Sequence, residues 1–201
     1  LTRHGFRNIS SWSRGVDTEM FRVRRKGEPD IFKDLPRPVF LYVGRVAVEK
    51  NLPAFLDLDL PGIKRVVGSG PDLETLRRAY PTVEFPGALE GPDLARAYAG
   101  ADAFVFPSRT DTFGIVMLEA LACGTPVAAY PVTGPRDILR QGITGIMDPD
   151  LRKACLLALQ LDRRACRDDA LLWSWERCAA QFVENLRPRF PTAVHGLVGC
   201  L

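Results

Sequence analysis

From Pro38 onward the apolar residues of this chain fall into short runs, each followed by a stretch with helical spacing. Val39-Phe40-Leu41-Tyr42-Val43 precedes a helical pattern over 52–58. Ile63-Lys64-Arg65-Val66-Val67 precedes one over 72–80, where Leu73, Leu76 and Tyr80 share a face. Val83-Glu84-Phe85 leads to a helix over 93–99, Ala103-Phe104-Val105-Phe106 to a helix between Gly114 and Gly124, and the run 126–130 to a helix over 137–141. Gly145-Ile146-Met147 is the sixth run. Short β-rich runs alternating with helices predict an α/β fold, a Rossmann-like doubly wound parallel sheet of six strands. After Pro149 the pattern is helical to about Leu186, the last long helix opening at Trp173-Ser174-Trp175. Residues 187–201, rich in Pro and Gly, read as a loose tail, and residues 1–35 stand outside the alternation. The domain proper is therefore expected over 36–186.

The fourth helix carries the first chemical signal. From Ile115 to Cys123 every residue except Glu119 is apolar, and glycines stand at both ends. An ionised carboxylate in such a helix is costly unless something binds it or it reaches solvent. Asp111 precedes Glu119 with seven residues between them, on a polar loop between the strand ending at Phe106 and the helix start at Gly114 and Ile115. A helix N-terminus that follows a strand and a loop presents free N–H groups to anions, phosphates above all.

A second signal follows the first strand. Gly44-Arg45-Val46-Ala47-Val48-Glu49-Lys50-Asn51 puts two cations at the sheet edge where open α/β folds bind ligands. Gly44 permits close backbone approach, Arg45 can chelate phosphate oxygens with its planar fork, and Lys50 supplies a compact charge. Gly68-Ser69-Gly70-Pro71 begins like a dinucleotide fingerprint, but Leu73 fills the last glycine position, which argues against NAD. Asp57-Leu58-Asp59 reads as a pair of solvated helix-end acids, and no metal is expected.

Composition narrows the classes. With 46% hydrophobic and 25% charged residues among 201, the chain is an ordinary globular domain. Its 27 basic and 24 acidic residues leave +3, too little to indicate nucleic acid, and the run Arg22-Val23-Arg24-Arg25-Lys26 reads as a solvated linker. Five widely spaced cysteines with no Cys-x-x-Cys pair suggest neither disulfides nor zinc and fit a reducing cytoplasm. His4 and His195 lack ligand companions, no apolar run approaches the roughly 18 residues of a membrane span, and Leu1-Thr2-Arg3-His4 lacks the apolar core of a signal peptide.

The 22-residue stretch from Phe106 to Val127, with Asp111, Gly114 and Glu119 so spaced, resembles the donor-sugar signature of group 1 retaining glycosyltransferases of GT-B architecture. The first acid of that signature is usually Glu; here it is Asp111. The resemblance implies that Glu119 holds the ribose of a nucleotide diphosphate sugar and that Asp111 orients the transferred hexose. It further implies that Arg45 and Lys50 neutralise the diphosphate with help from the N–H groups of Gly114 and Ile115. By the same resemblance Gly44 and Gly70 approach the nucleotide, and the turn at Phe85 lines the base, largely through backbone groups. Asp111, Arg45 and Lys50 would be the catalytic set, without cofactor or metal. Ser108-Arg109-Thr110-Asp111-Thr112-Phe113-Gly114 is similar to a bacterial mannosyltransferase-like or sulfolipid-synthase-like subgroup, leaving GDP-mannose and UDP-hexose donors both open. The acceptor would be a lipid or carbohydrate, reached in the cytoplasm, with peripheral contact at the inner membrane face in the lipid case.

The stretch Trp12-Ser13-Arg14-Gly15-Val16-Asp17 is similar to the linker entering the donor domain of these enzymes. An N-terminal acceptor domain is then missing, and the chain alone is expected to be inactive. A non-catalytic nucleotide-sugar-binding subunit, a truncated gene remnant and a GT-B epimerase are the alternatives.

Overall fold

The computed structural model describes residues 2–186 apart from Asn8 and Ser11. The tail expected over 187–201, with His195 and Cys200, lies outside the described residues. Six strands, β1 (Val39–Val43), β2 (Ile63–Val67), β3 (Glu84–Gly87), β4 (Ala103–Phe106), β5 (Val127–Ala129) and β6 (Gly145–Met147), form one parallel sheet in the order β3-β2-β1-β4-β5-β6. The chain winds outward from β1 to β3, returns to pair β4 beside β1, and winds outward again. That reversal opens a crevice at the carboxyl ends of β1 and β4, the place where such sheets take ligands.

Parallel strands need crossovers, and here helices supply them on both faces. Val39, Leu41 and Val43 of β1 point into one core layer with α3 (Gly91–Gly100), α4 (Ile115–Ala122) and α7 (Arg163–Ala170). Phe40 and Tyr42 point the other way, into a layer with α1 (Pro53–Leu56), α2 (Leu73–Ala79) and α6 (Leu151–Ala158). Every residue of β1 and β4 is buried, as continuous apolar runs covered on both faces require.

Most elements shift by a residue or two from their expected bounds, and three departures have a clear local setting. β3 extends to Gly87 through Pro86, which an edge strand tolerates because no neighbour needs that N–H. α5 runs Thr133–Ile138 instead of 137–141, since Pro135 sits in its first turn, where a missing N–H costs little. The region expected as a helix over 52–58 shortens to α1, which a 3-10 turn, Val48–Lys50, precedes.

The N-terminal segment is packed onto the domain rather than hanging free. Phe21 and Phe32 are buried, and the Val16 N–H donates to the Trp173 carbonyl at 2.8 Å, just ahead of α8 (Trp175–Asn185). The Arg167 guanidinium on α7 donates to the carbonyls of Thr18, Phe21 and Ala122, tying the segment to the end of α4. The basic run is also less free than its composition suggests, because Arg22 pairs with Glu28 at 2.7 Å and Arg24 lies 3.4 Å from Asp30.

The loops leaving β1, β2 and β3 press against one another. Gly68 has φ +149°, its N–H donates to the Gly87 carbonyl at 2.8 Å, and a Cβ on it would stand 1.9 Å from the Gly44 carbonyl oxygen. Gly68→Ala is therefore expected to destabilise the domain by roughly 1–3 kcal/mol, the usual cost of overpacking. Urea unfolding measures this directly, and a midpoint equal to wild type would show that the three loops are not held so closely.

Candidate functional site

The close approach of those loops shapes a cleft of about 530 Å³ at the carboxyl edge of the sheet, lined by Gly44, Arg45, Gly68, Ser69, Gly70 and Leu89 among others. Backbone bonds fix its floor, with Gly44 N–H donating to Val67 O at 3.0 Å and Val46 N–H to Ser69 O at 2.8 Å. A Cβ at Gly70 would lie 2.1 Å from the Val46 carbonyl oxygen, so only glycine fits there. Beneath the turn, the Tyr42 hydroxyl donates to the Arg45 carbonyl at 2.8 Å. The Arg45 side chain is 66% exposed and its nearest carboxylate, Glu49, is 3.6 Å away, so the guanidinium can move to an incoming anion.

Lys50 does not point freely into solvent. Its ammonium donates to Asp111 Oδ1 at 2.5 Å, both side chains being 23% exposed. Asn51, with φ 54°, donates through Nδ2 to the Pro107 carbonyl at 3.0 Å and so docks the β1 loop onto the β4 loop. The other Asp111 oxygen, Oδ2, is buried without a hydrogen-bond partner among the described residues. α5 buttresses this loop from outside, since a Cβ on Gly134 would stand 2.9 Å from the Asp111 carbonyl oxygen. Three residues past Asp111, Gly114 turns at φ +80° into α4, whose first-turn N–H groups include Ile115, itself 36% exposed. A helix start of this kind leaves N–H groups without intrahelical acceptors.

Glu119 lies one turn further along α4, outside the lining of the cleft. Its Oε2 accepts a 2.8 Å hydrogen bond from the hydroxyl of Tyr98 on α3. Burial raises the Glu119 carboxyl above its ordinary value while the Tyr98 bond opposes that rise. Val43, Val67 and Leu89 of the cleft lining belong to the same core layer as Tyr98.

The candidates thus separate into three groups. Gly44, Arg45 and Gly70 line one cleft; Lys50 and Asp111 meet at its β4 side with Gly114 and Ile115 following; Glu119 sits behind, held by Tyr98. Phe85 is not in the cleft. Its ring packs in the opposite core layer with Leu76, and its carbonyl accepts from Arg77 Nη2 at 2.9 Å, so Ala88 and Leu89 take the cleft wall instead. Asp57 accepts from the Tyr80 hydroxyl at 2.6 Å, and among the described residues no group of three or more His, Cys, Asp or Glu is placed for a metal ion. Sequence reasoning passed over Tyr42, Asn51 and Tyr98. Asn51, a residue type tolerant of positive φ directly after the two cations, was the one with a local signal.

Comparison with known proteins bears on this arrangement. A family model described as "Glycosyl transferases group 1" matches residues 37–160. A GDP-mannose-dependent alpha-mannosyltransferase of Mycobacterium tuberculosis is 38% identical over 158 residues, covering 74% of this chain and 40% of that protein. Sulfoquinovosyl transferase SQD2 of Arabidopsis thaliana is 34% identical over 204 residues, covering 87% and 38%. The chain thus spans about two fifths of the length of the curated relatives it matches. Among solved structures, sucrose-phosphate synthase from Thermosynechococcus elongatus superposes with TM-score 0.69 at 27% identity, over 85% of this chain and 50% of that one. Anabaena HepE, solved with UDP and glucose, shares the fold with TM-score 0.70 at 16% identity, over 85% and 54%.

The buried carboxylate has a measurable consequence. Because Glu119 titrates above its ordinary value of 4.5 in the fold, the folded chain retains a proton that the unfolded chain releases between the two values. The stabilisation is full below the ordinary value and is lost as pH rises through the raised one. Glu119→Gln keeps an acceptor for Tyr98 and removes the charge, so the variant is expected to be at least as stable as wild type at neutral pH, with the advantage shrinking in mild acid. Urea midpoints at both pH values test this; a variant clearly weaker at neutral pH would mean that the charge supports the fold.

Proposed function

The chain belongs to the group 1 glycosyltransferases, and from that premise we propose that it is the donor-binding half of a hexosyltransferase, taking a hexose from a nucleotide diphosphate sugar to an acceptor with retention of configuration. The observation that carries this proposal is the meeting of Lys50 and Asp111 at the β1–β4 crevice, beside a cleft walled by glycine backbone. A diphosphate entering there gains the mobile Arg45 guanidinium, the Lys50 ammonium and the first-turn N–H groups of α4 at Gly114 and Ile115.

The same groups serve the chemistry. As the bond from anomeric carbon to phosphate oxygen breaks, negative charge grows on the leaving diphosphate, and each well-placed donor there can contribute about 3 kcal/mol. Asp111, engaged by Lys50, orients the sugar and fixes the cation rather than attacking carbon, in keeping with front-face departure. Glu119 takes the ribose hydroxyls. No cofactor or metal is assigned a role.

The relatives' names keep both donors in view, GDP-mannose for the mannosyltransferase and UDP for the nucleotide in the HepE structure. Lipid or carbohydrate acceptors are proposed, with the reaction in the cytoplasm and peripheral contact at the inner membrane face where the acceptor is a lipid. No helix among the described residues is long and apolar enough to cross a membrane.

Calorimetry with UDP and GDP tests the site. Arg45→Ala is expected to cost roughly 1.5–3 kcal/mol of nucleotide affinity, the worth of a hydrogen bond to a charged group, and Glu119→Gln is expected to weaken both nucleotides. Unchanged affinity in both variants contradicts the assignment.

The 201 residues alone are expected to bind a donor without turning it over. The described residues build one sheet, and holding the acceptor hydroxyl against the anomeric carbon can account for roughly 7–11 kcal/mol of the barrier. Incubation with UDP-glucose or GDP-mannose and lipid or sugar acceptors should give negligible transfer. Multiple turnovers without a partner protein would show a complete enzyme; tight binding with no transfer under any added domain would instead favour a non-catalytic binding subunit.

A further inference from the structure

We propose that Tyr98 is the positioning residue for Glu119, holding the carboxylate in one orientation for the ribose of the donor. The proposal rests on the donor-site reading above and adds to it a residue twenty-one positions upstream on a different helix.

Glu119 needs such a support. Its neighbours on α4 are apolar, and a glutamate has three rotatable bonds with which to leave a partly buried position for water. The Tyr98 hydroxyl holds one carboxylate oxygen, Oε2, at 2.8 Å, and the other, Oε1, is the one assigned to the ribose.

Tyr98 can do this because it cannot move. Its side chain is wholly buried, the ring meeting Phe21 edge-on at 5.8 Å and Phe104 of β4 at 5.6 Å. Its carbonyl accepts from the Thr125 hydroxyl at 2.7 Å, and Arg163 donates to that same hydroxyl at 3.1 Å. The tyrosine is therefore gripped from β4, α7, the loop after α4 and the N-terminal segment. Burial and the Glu119 charge push its phenol well above the ordinary value, so it remains a donor.

The other groups around Glu119 do not compete for the task. Cys123 on α4 is pushed up to about 12 by burial and stays a neutral thiol. Arg163 and Arg167 of α7 direct their guanidinium groups to backbone carbonyls and Thr125. Tyr98 is thus the group from the packed elements whose bond favours the ionised carboxylate. A supporting residue of this kind makes no contact with the ligand, yet its loss loosens the group that does.

Calorimetry of the 201-residue chain with UDP, GDP and inorganic pyrophosphate tests the assignment. Tyr98→Phe retains the ring and its packing, and is expected to lower UDP and GDP affinity about tenfold while leaving pyrophosphate binding unchanged. In a Glu119→Ala background, which leaves no acceptor for the Tyr98 hydroxyl at position 119, the same substitution should have no further effect, because both changes act through that one side chain. The acid limb of nucleotide binding should also move to higher pH in Tyr98→Phe, since the lost hydrogen bond was holding the Glu119 value down. Losses that simply add in the double variant, or an equal loss for pyrophosphate, would reduce Tyr98 to a packing residue. Wild-type binding of neither nucleotide overturns the donor site and this inference together; normal wild-type binding with Tyr98→Phe unchanged overturns this inference alone.

Discussion

Every crossover in the sheet returns the chain to the same edge, and on that constraint the rest of the structure depends. Parallel strands cannot be joined by tight turns, so each must be followed by a helix that carries the chain back across a face. All six strands then end at one side, and whatever follows them is gathered there. Because winding reverses between β3 and β4, the loops after β1 and β4 become neighbours although Lys50 and Asp111 are 61 residues apart. The ion pair they form results from topology before it results from chemistry.

The groups brought together are costly ones, and their costs point the same way. Asp111 keeps one oxygen buried without a partner, and Glu119 stands in an apolar helix where burial disfavours its charge. A leucine or glutamine at 119 would suit the core better. Against this, Gly68 and Gly70 give up all side-chain packing so that backbone from two loops can meet within van der Waals distance. Asp111 Oδ2 is one of two buried side-chain atoms without a partner among the described residues, the other being Arg65 Nε within β2, and it is the one placed where a ligand could satisfy it.

Much of this was legible in the sequence because the signals were local. Val39–Val43 and Ala103–Phe106 are unbroken apolar runs, which is how a strand covered on both faces must read, and their bounds agree with the structure. The lone acid of the fourth helix and the two cations after the first strand were visible for the same reason. The turn at Phe85 reads as acting largely through backbone groups; where its ring goes depends on edge-strand register, which the sequence does not show, and it packs into the core layer away from the cleft. Tyr98 was invisible as a functional residue, since at helical spacing it is indistinguishable from any other core aromatic, and only tertiary packing brings its hydroxyl to Glu119. The start of α5 reads four residues late, at 137, because Gly134 and Pro135 do not carry a helical pattern of apolar residues although they lie in its first turn.

Backbone amide chemical-shift mapping of the chain titrated with UDP and with GDP tests the central claim most directly, namely that the nucleotide is held at the edge where the loops after β1, β2 and β4 converge. Saturable shifts concentrated at Gly44, Arg45, Gly68 to Gly70, Gly114 and Ile115, with few elsewhere, are predicted for at least one nucleotide. Shifts centred on another part of the molecule, or none with either nucleotide, would contradict it.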